Sequence, residues 1–321
     1  MDRTQIIDPI FDTGFKLIFG RENVSERLLI DLLNSIFAGD PVLGDIVEVR
    51  FTNTEKPDEY VEGRGIRYDI SCVTSTGHRF IVEMQKGEQT HFIECREYYV
   101  ARDLAGQGFR GRDSDSRVWD FSLMPVVGIF FCNFRISHIE HKPLTYAALC
   151  DLENGKPIGD SQRYVFIQLP CFGKEKDDCE SDIDKWIYNI KNMGAMQTVS
   201  FTTDKEIFQY LESVSNVAAL TGKDRYIYES ALRRARDYNA VLKTAEEKAK
   251  ANGLAEGRAE GRAEGRAEGR AEGRAEGRAE GRAEGEAEKA EAIANKMKQA
   301  GFPISTIMEM TGLSETVIEA L

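Results

Sequence analysis

The chain has 321 residues, a length that favours one large domain or two domains of ordinary size. Its net charge of −12 argues against a protein that binds nucleic acid over its whole surface, although a local basic groove or divalent ions can still handle phosphates. Its six cysteines form no CxxC pair, and with four histidines a structural zinc site is not expected. The longest apolar run, 124–132, is far shorter than the ~20 residues of a membrane span, so we predict a soluble, cytoplasmic protein with reduced thiols.

Hydrophobic spacing predicts alternating helices and strands over the first 250 residues. Residues 24–37 place leucines at helical intervals, with Ser25 as a candidate N-terminal cap. Two strand-like runs, 66–73 and 79–85, are joined by five residues that include Gly77, a spacing typical of a hairpin. Further strands are predicted at 46–51, 124–134 and 164–169, and further helices at 90–106, 181–193, 204–221 and 224–250. This order predicts an α/β fold with a mixed sheet flanked by helices.

A tetrapeptide repeat follows. From Ala255 the unit Ala-Glu-Gly-Arg occurs seven times, through residue 282, and Ala-Glu-Gly-Glu comes next. The unit lacks proline and β-forming residues, so a helix is favoured over a strand. However, like charges recur four residues apart and each glycine costs about 1 kcal/mol relative to alanine, so an isolated helix would be marginal. Two interpretations stay open, namely a solvated spacer and a helix whose small residues let copies pack as a coiled homo-oligomer.

The tail, 287–321, has an ordinary composition. It predicts a helix over 292–300 that ends before Gly301, a short helix that ends at Gly312, and a final helix capped by Ser314. The final helix contains no Arg or Lys, so a DNA-reading helix is disfavoured relative to a small packing or docking module.

The predicted hairpin brings two acidic residues together. Side chains alternate between the faces of a strand, so Asp69 and Glu83 share a face and oppose each other if Val73 pairs with Arg79. Directly opposed residues have Cβ atoms ~5 Å apart. A register slip of one residue would separate the two carboxylates onto opposite faces.

Two adjacent carboxylates are unfavourable unless a cation offsets their charge. Mg²⁺ takes oxygen ligands, commonly one or two carboxylates together with water and phosphate. The backbone carbonyl of Met84 and the side-chain oxygen of Gln85 could join Asp69 and Glu83 around such an ion, which would polarise a phosphate and activate a water molecule. The alternative is the exposed polar face of an ordinary hairpin.

Asp69, followed by Glu83-Met84-Gln85 on the next strand, resembles the Asp…Glu-x-Lys core of the PD-(D/E)XK nuclease superfamily. Other segments are similar to one branch, the Rpn family of recombination-promoting nucleases and transposases. They are DTGFKLIFG at 12–20, LLIDLLN at 28–34, VEMQ at 82–85, Arg96 with Tyr99, and LMPVV at 123–127. The resemblance covers about residues 8–250. It implies a restriction-endonuclease-like fold, DNA as substrate, Mg²⁺ or Mn²⁺ as cofactor, and a link to recombination or mobile elements.

The sequence departs from the superfamily pattern at Gln85, where lysine is usual, although the resemblance implies that glutamine is usual in this branch. Gln85 can orient an attacking water but carries no charge. Lys16 could supply the missing cation if segment 12–20 packs near the hairpin; otherwise it is a solvated lysine. Asp12 and Glu26 both compete to be the additional metal-binding helix carboxylate that the resemblance implies.

Arg96 and Tyr99 are three residues apart on a predicted helix and therefore share a face. In one interpretation Arg96 binds a DNA phosphate and Tyr99 packs or hydrogen-bonds beside it. In the other, Arg96 is bonded to Glu83 or Asp69 from behind.

The sequence thus predicts a nuclease-like domain over 1–250, a repeat segment over 251–286 and a helical tail over 287–321. The predicted activity is that of a Mg²⁺-dependent DNA endonuclease, with Asp69, Glu83, Gln85 and Lys16 as catalytic residues. The alternative is a catalytically inactive relative that binds DNA or a protein partner, which Gln85 and the acidic charge favour. A third hypothesis is a scaffold protein that assembles through the repeat.

Overall fold

The computed structural model describes residues 6–56, 66–108 and 123–321 of the chain. The chain separates into two compact units, residues 1–236 and 237–321. The first unit combines a sheet with helices, and the regular elements of the second unit are helices.

The strands of the first unit are β1 (Val49–Phe51), β2 (Glu55–Lys56), β3 (Ile66–Arg67), β4 (Ile70–Thr74), β5 (Arg79–Gln85), β6 (Val126–Cys132), β7 (Leu144–Ala148) and β8 (Gln162–Gln168). Within the described residues, six of them form one sheet in the order β1-β4-β5-β6-β8-β7, while β2 and β3 pair separately. β5, β6 and β8 are parallel, and the other neighbours are antiparallel. The predicted mixed sheet is therefore confirmed. All seven residues of the central strand β6 are buried, as its apolar sequence predicts.

The helices are α1 (Asp12–Phe19), α2 (Glu26–Ile36), α3 (Phe92–Ala105), α4 (Asp182–Asn192), α5 (Glu206–Ser215), α6 (Gly222–Gln299), α7 (Ile304–Thr311) and α8 (Glu315–Ala320). Buried residues of α1, α2, α4 and α5 form the larger core against one sheet face, and α3 forms a smaller core on the other face. Alternation along β5 places Val82 in the larger core and Ile81 in the smaller core. Glu83 is two residues after Ile81 on the same strand and therefore shares its face, which is the one covered by α3.

The local predictions differ from the structure in four ways. The strand expected over 66–73 is interrupted, because Tyr68 and Asp69 separate β3 from β4. Neither α1 nor β7 was predicted from the hydrophobic pattern, and the strand expected over 46–51 shrinks to β1. Ser25 occupies the N-cap position of α2 but does not cap it, because its hydroxyl donates to Ile18 O and accepts from the Arg21 N–H.

Helix α6 continues well past the predicted end at residue 250 and includes the repeats. After it, Ala294, Ile307 and Ile318 form a small core with α7 and α8. Gly301 (φ 83°) and Gly312 (φ 75°) adopt the left-handed conformation that glycine tolerates, which agrees with their predicted roles at helix ends. Ser314 precedes α8, but its hydroxyl pairs with the Thr316 hydroxyl and makes no capping bond to the backbone. Within the described residues, no helix is both long enough and apolar enough to cross a membrane.

Candidate metal centre

The β4–β5 hairpin has the register predicted from its sequence. Ser71 pairs with Ile81 and Val73 pairs with Arg79 in the antiparallel ladder. The ladder ends at Ile70↔Val82, one residue before Asp69 would oppose Glu83. Asp69 therefore lies at a bend, where its side chain is no longer held in the regular pleat.

Asp69 is fixed at this bend by two contacts. One carboxylate oxygen, Oδ2, accepts the Met84 N–H at 3.0 Å, and the other, Oδ1, lies 3.0 Å from Lys16 Nζ. Only 15% of the side chain is exposed. The carboxyl group is thus held at the end of β5 by its bond to Met84, and not by the direct pairing with Glu83 that the hairpin argument predicted.

Helix α1 brings Asp12 and Lys16 to the hairpin. Lys16 Nζ lies 2.9 Å from Asp12 Oδ1, and the Asp12 and Asp69 carboxyl groups are within hydrogen-bonding reach of each other. Glu26 instead accepts the N–H of Asn23 at the exposed start of α2. Of the two candidate helix carboxylates, the fold brings Asp12 to Asp69, and Lys16 is bound there in an ion-pair contact with both acids.

Glu83 is buried against Arg96 of α3. Its side chain is 6% exposed, that of Arg96 is 4% exposed, and Arg96 Nη1 contacts Glu83 Oε2 directly. The guanidinium carbon lies 4.8 Å from the centre of the Tyr99 ring, so Tyr99 packs beside Arg96 as its position three residues later predicts. This is the arrangement in which Arg96 bonds an acid from behind.

The second oxygen of Glu83, Oε1, is buried and has no hydrogen-bond partner. A buried carboxylate oxygen without a partner is costly, and such an atom commonly marks a position that receives an ion or a water molecule. Gln85 lies at the same end of β5, where its Oε1 accepts from Arg96 at 3.4 Å and its Nε2 donates to Gly87 O at 3.3 Å.

These side chains line one open depression with a volume of about 660 Å³, and its lining includes Asp12, Arg67, Asp69, Glu83, Gln85 and Tyr99. Lys16 is not among the lining residues, although its Nζ lies 2.9 Å from Asp12 Oδ1 and 3.0 Å from Asp69 Oδ1. The sequence-predicted residues Asp12, Lys16, Asp69, Glu83, Gln85, Arg96 and Tyr99 are therefore assembled at one place, whereas Glu26 is not.

Two of the three acids in the depression, Asp69 and Glu83, have raised pKa values. Burial, together with the hydrogen bond and charge of Asp12, raises the pKa of Asp69 to about 7, while Lys16 opposes the change. Burial also raises the pKa of Glu83 to about 8, against the lowering influence of Arg96. For Asp12, burial is outweighed by its hydrogen bonds to Asp69 and Lys16, so its pKa is lowered. The hydrogen bond between the two groups thus lowers the pKa of Asp12 and raises that of Asp69, so the proton of this pair resides on Asp69.

The donor chemistry fits a hard divalent cation. Every acid in the depression offers oxygen, the donor atom that Mg²⁺ prefers, and Glu83 Oε1 has no hydrogen-bond partner. As the side chains stand, the described ranges contain no group of three His, Cys, Asp or Glu residues already arranged to hold an ion. Lys16 and Arg96 supply the positive charge next to the three acids.

Sequence reasoning did not decide the positions of Lys16 and Arg96, because each depends on how a helix packs. The available signal was the i,i+4 spacing of Asp12 and Lys16, which pairs the two on one helix face.

A comparison with protein-family models gives a match over most of the chain. Residues 9–245 match the family model described as PD-(D/E)XK nuclease family transposase. Neither a search of curated proteins nor a search of solved structures found a match.

Proposed function

Because this chain belongs to the PD-(D/E)XK nuclease family transposases, we propose that it is a divalent-metal-dependent DNA endonuclease that acts in recombination or in mobile-element activity. The observation that carries the proposal is the buried, unpartnered Oε1 atom of Glu83 in a depression shared with Asp12 and Asp69. A fold that merely tolerated these acids would pair or expose that oxygen, since leaving it buried and unpaired costs free energy.

In this proposal Asp69, Glu83 and the Met84 backbone carbonyl hold Mg²⁺ or Mn²⁺, and Asp12 contributes a third carboxylate. The bound ion would act as a Lewis acid on the scissile phosphate and lower the pKa of the attacking water. Lys16 is in contact with both Asp12 and Asp69, so metal binding requires its ammonium group to share or release them. Arg96 remains behind Glu83 and fixes the orientation of that carboxylate through its contact with Oε2.

Gln85 and Lys16 together replace the lysine that is usual in the superfamily, since Gln85 orients water and Lys16 supplies the positive charge. The Gln85 amide lies at the mouth of the depression and can orient water by hydrogen bonds, because both of its present bonds are long, at 3.3 and 3.4 Å. Lys16 carries the positive charge that stabilises negative charge developing on the phosphoryl oxygens. Of the two residues first considered for phosphate binding, Tyr99 is the one that lines the depression without an ion pair to a carboxylate.

A plasmid cleavage assay tests the proposal. Asp69→Asn keeps the shape of the side chain but removes its charge, and it should abolish Mg²⁺-dependent nicking. Asp45→Asn, at an exposed position outside the depression, is the matched control and should cleave like the wild type. Equal cleavage by wild type and Asp69→Asn would contradict the assignment.

A catalytically inactive relative that binds DNA or a protein partner is the second candidate. Gln85 in place of lysine and the existing neutralisation of Glu83 by Arg96 favour it. Calorimetric titration with Mg²⁺ and Mn²⁺ separates the candidates, because an inactive relative without the metal centre would show no binding at millimolar concentrations.

We further propose the boundaries 1–250, 251–286 and 287–321 for the nuclease domain, the repeat segment and the tail.

For the repeat, the spacer and the coiled homo-oligomer make different predictions. If the repeat is a spacer, deletion of residues 255–286 should leave the oligomeric state, measured by sedimentation, unchanged. It should convert an oligomer to a smaller species if the repeat is the site of assembly.

A further inference from the structure

The segment before α1 contacts three parts of the first unit through Asp8, namely α1, the turn after α4 and the start of α6. The Asp8 N–H donates to the hydroxyl of Tyr228, a residue 220 positions later in the chain, at 2.8 Å. Tyr228 belongs to the start of α6 and is 2% exposed. Asp8 is therefore attached directly to the first turns of the helix that later carries the repeats.

Two glycines, Gly14 and Gly194, allow Asp8 to pack closely against them because they have no side chain. A Cβ atom at Gly14 would overlap the Asp8 carbonyl oxygen, and one at Gly194 would overlap the Asp8 carboxylate. Gly14 lies on α1, two residues after Asp12 and two before Lys16. The contact at Gly14 has no spare space, so a shift of residue 8 is transmitted to the helix that carries both of these site residues.

The residue before α1 contacts the residue that follows β5. Lys86 Nζ lies 4.2 Å from the centre of the Phe11 ring, and Phe11 is the residue that precedes α1. Phe11 also lines a cavity of about 480 Å³ with Asp8, Gly194, Tyr228, Leu232 and Arg236. Phe11 thus contacts Lys86 after β5 and also lines this cavity. At the cavity, the hydroxyl of Tyr228 holds Asp8 in place by accepting its N–H.

We propose that Tyr228 is a positioning residue for the candidate metal centre, which it serves by holding Asp8 so that α1 presents Asp12 and Lys16 to Asp69. This inference rests on the proposed function for its link to metal binding. The physical claim that α6 holds α1 in place does not depend on that function.

Tyr228→Phe is the informative variant, because it keeps the buried ring and removes only the hydroxyl that receives the Asp8 N–H. Tyr226→Phe, on the same helix and 68% exposed, removes a hydroxyl for which the structure gives no partner and is the matched control. Hydrogen–deuterium exchange followed by mass spectrometry measures the opening of each element. We expect exchange in residues 6–19 to be about fivefold faster in Tyr228→Phe than in wild type or in Tyr226→Phe, as follows from the loss of one hydrogen bond. Exchange in α4 should stay unchanged.

Unchanged exchange in α1 would overturn the proposal. So would equal acceleration in α1 and α4, because that pattern reports a general loss of stability. In a second measurement, Mn²⁺ affinity should fall about fivefold in Tyr228→Phe only. If wild type binds Mn²⁺ and Tyr228→Phe binds it equally well, the positioning role is wrong. If wild type binds no Mn²⁺, the proposed nuclease function fails, and the exchange measurement still decides whether α6 holds α1.

Discussion

The buried Glu83 carboxyl should make the metal-free protein less stable as the pH rises. Its pKa is raised by burial to about 8 in the folded protein, against an ordinary value of 4.5 in the unfolded chain. Between these two values the folded state keeps a proton that the unfolded state has lost. Because the folded state binds more protons, the free energy of unfolding falls as the pH rises through this window.

The size of the effect follows from the width of the window. Each pH unit inside it corresponds to about 1.4 kcal/mol for one group. Between pH 5 and pH 8, Glu83 should therefore lower the free energy of unfolding by at most about 4 kcal/mol, a large part of the ~5–15 kcal/mol that stabilises a typical domain. Only 6% of the side chain is exposed, so solvent screening reduces this value little.

Glu83→Gln isolates this contribution. Glutamine keeps the shape and an oxygen for Arg96 but does not titrate. The variant should therefore lose the Glu83 part of the decrease in stability between pH 5 and pH 8 and keep the part due to Asp69, whose pKa is raised to about 7. Urea unfolding in the presence of a chelator measures it, with tryptophan fluorescence as the signal, because Trp186 is fully buried in the larger core. Glu140→Gln, at a side chain that is 72% exposed, should keep the wild-type slope. The same pH dependence in wild type and Glu83→Gln would refute the reasoning, because it would mean that the Glu83 carboxyl is ionised at both pH values.

Three other outcomes are expected. Mg²⁺ at about 10 mM should raise the melting temperature of wild type more at pH 8.5 than at pH 6, because protons compete with the ion for Asp69 and Glu83, whose pKa values are raised to about 7 and about 8; an equal rise at both pH values would contradict competition. Lys16→Met should show a larger Mg²⁺-induced rise than wild type while its cleavage rate falls, since the ammonium no longer holds two carboxylates; a smaller rise would mean that Lys16 assists metal binding. Gly128→Ala should cost about 1–3 kcal/mol in urea unfolding, because the new methyl group would meet the Phe130 ring at 2.6 Å, whereas Gly159→Ala, with open space around it, should cost much less; equal costs would contradict the tight packing at Gly128.

The alternation of residues along the chain was sufficient to predict the hairpin. The β5 strand has the predicted bounds, 79–85, and the β4–β5 register follows from the residues on its two faces. Register is well specified here because a slip of one residue would move the apolar Val82 off its core face. The buried character of β6 followed equally from its composition.

The shorter or less periodic elements were not accessible in this way. Helix α1 has eight residues, too few for a reliable helical period, and β7 lies at the edge of the sheet with a mixed burial pattern. The failure of Ser25 to cap α2 has a similar origin, because its hydroxyl is engaged by Ile18 and Arg21 of the preceding turn.

The sequence by itself thus determined the register of the hairpin, which places Asp69 and Glu83 at the same end of it, since register depends on the alternation of residues along two neighbouring strands. Only the tertiary structure decided which cations meet them. Lys16 reaches Asp69 because α1 packs beside the end of β5, and Arg96 reaches Glu83 because α3 covers the opposite sheet face. Both contacts depend on how helices pack across the sheet, and this packing is set by the burial of the whole apolar surface, so no local pattern around either residue specifies it.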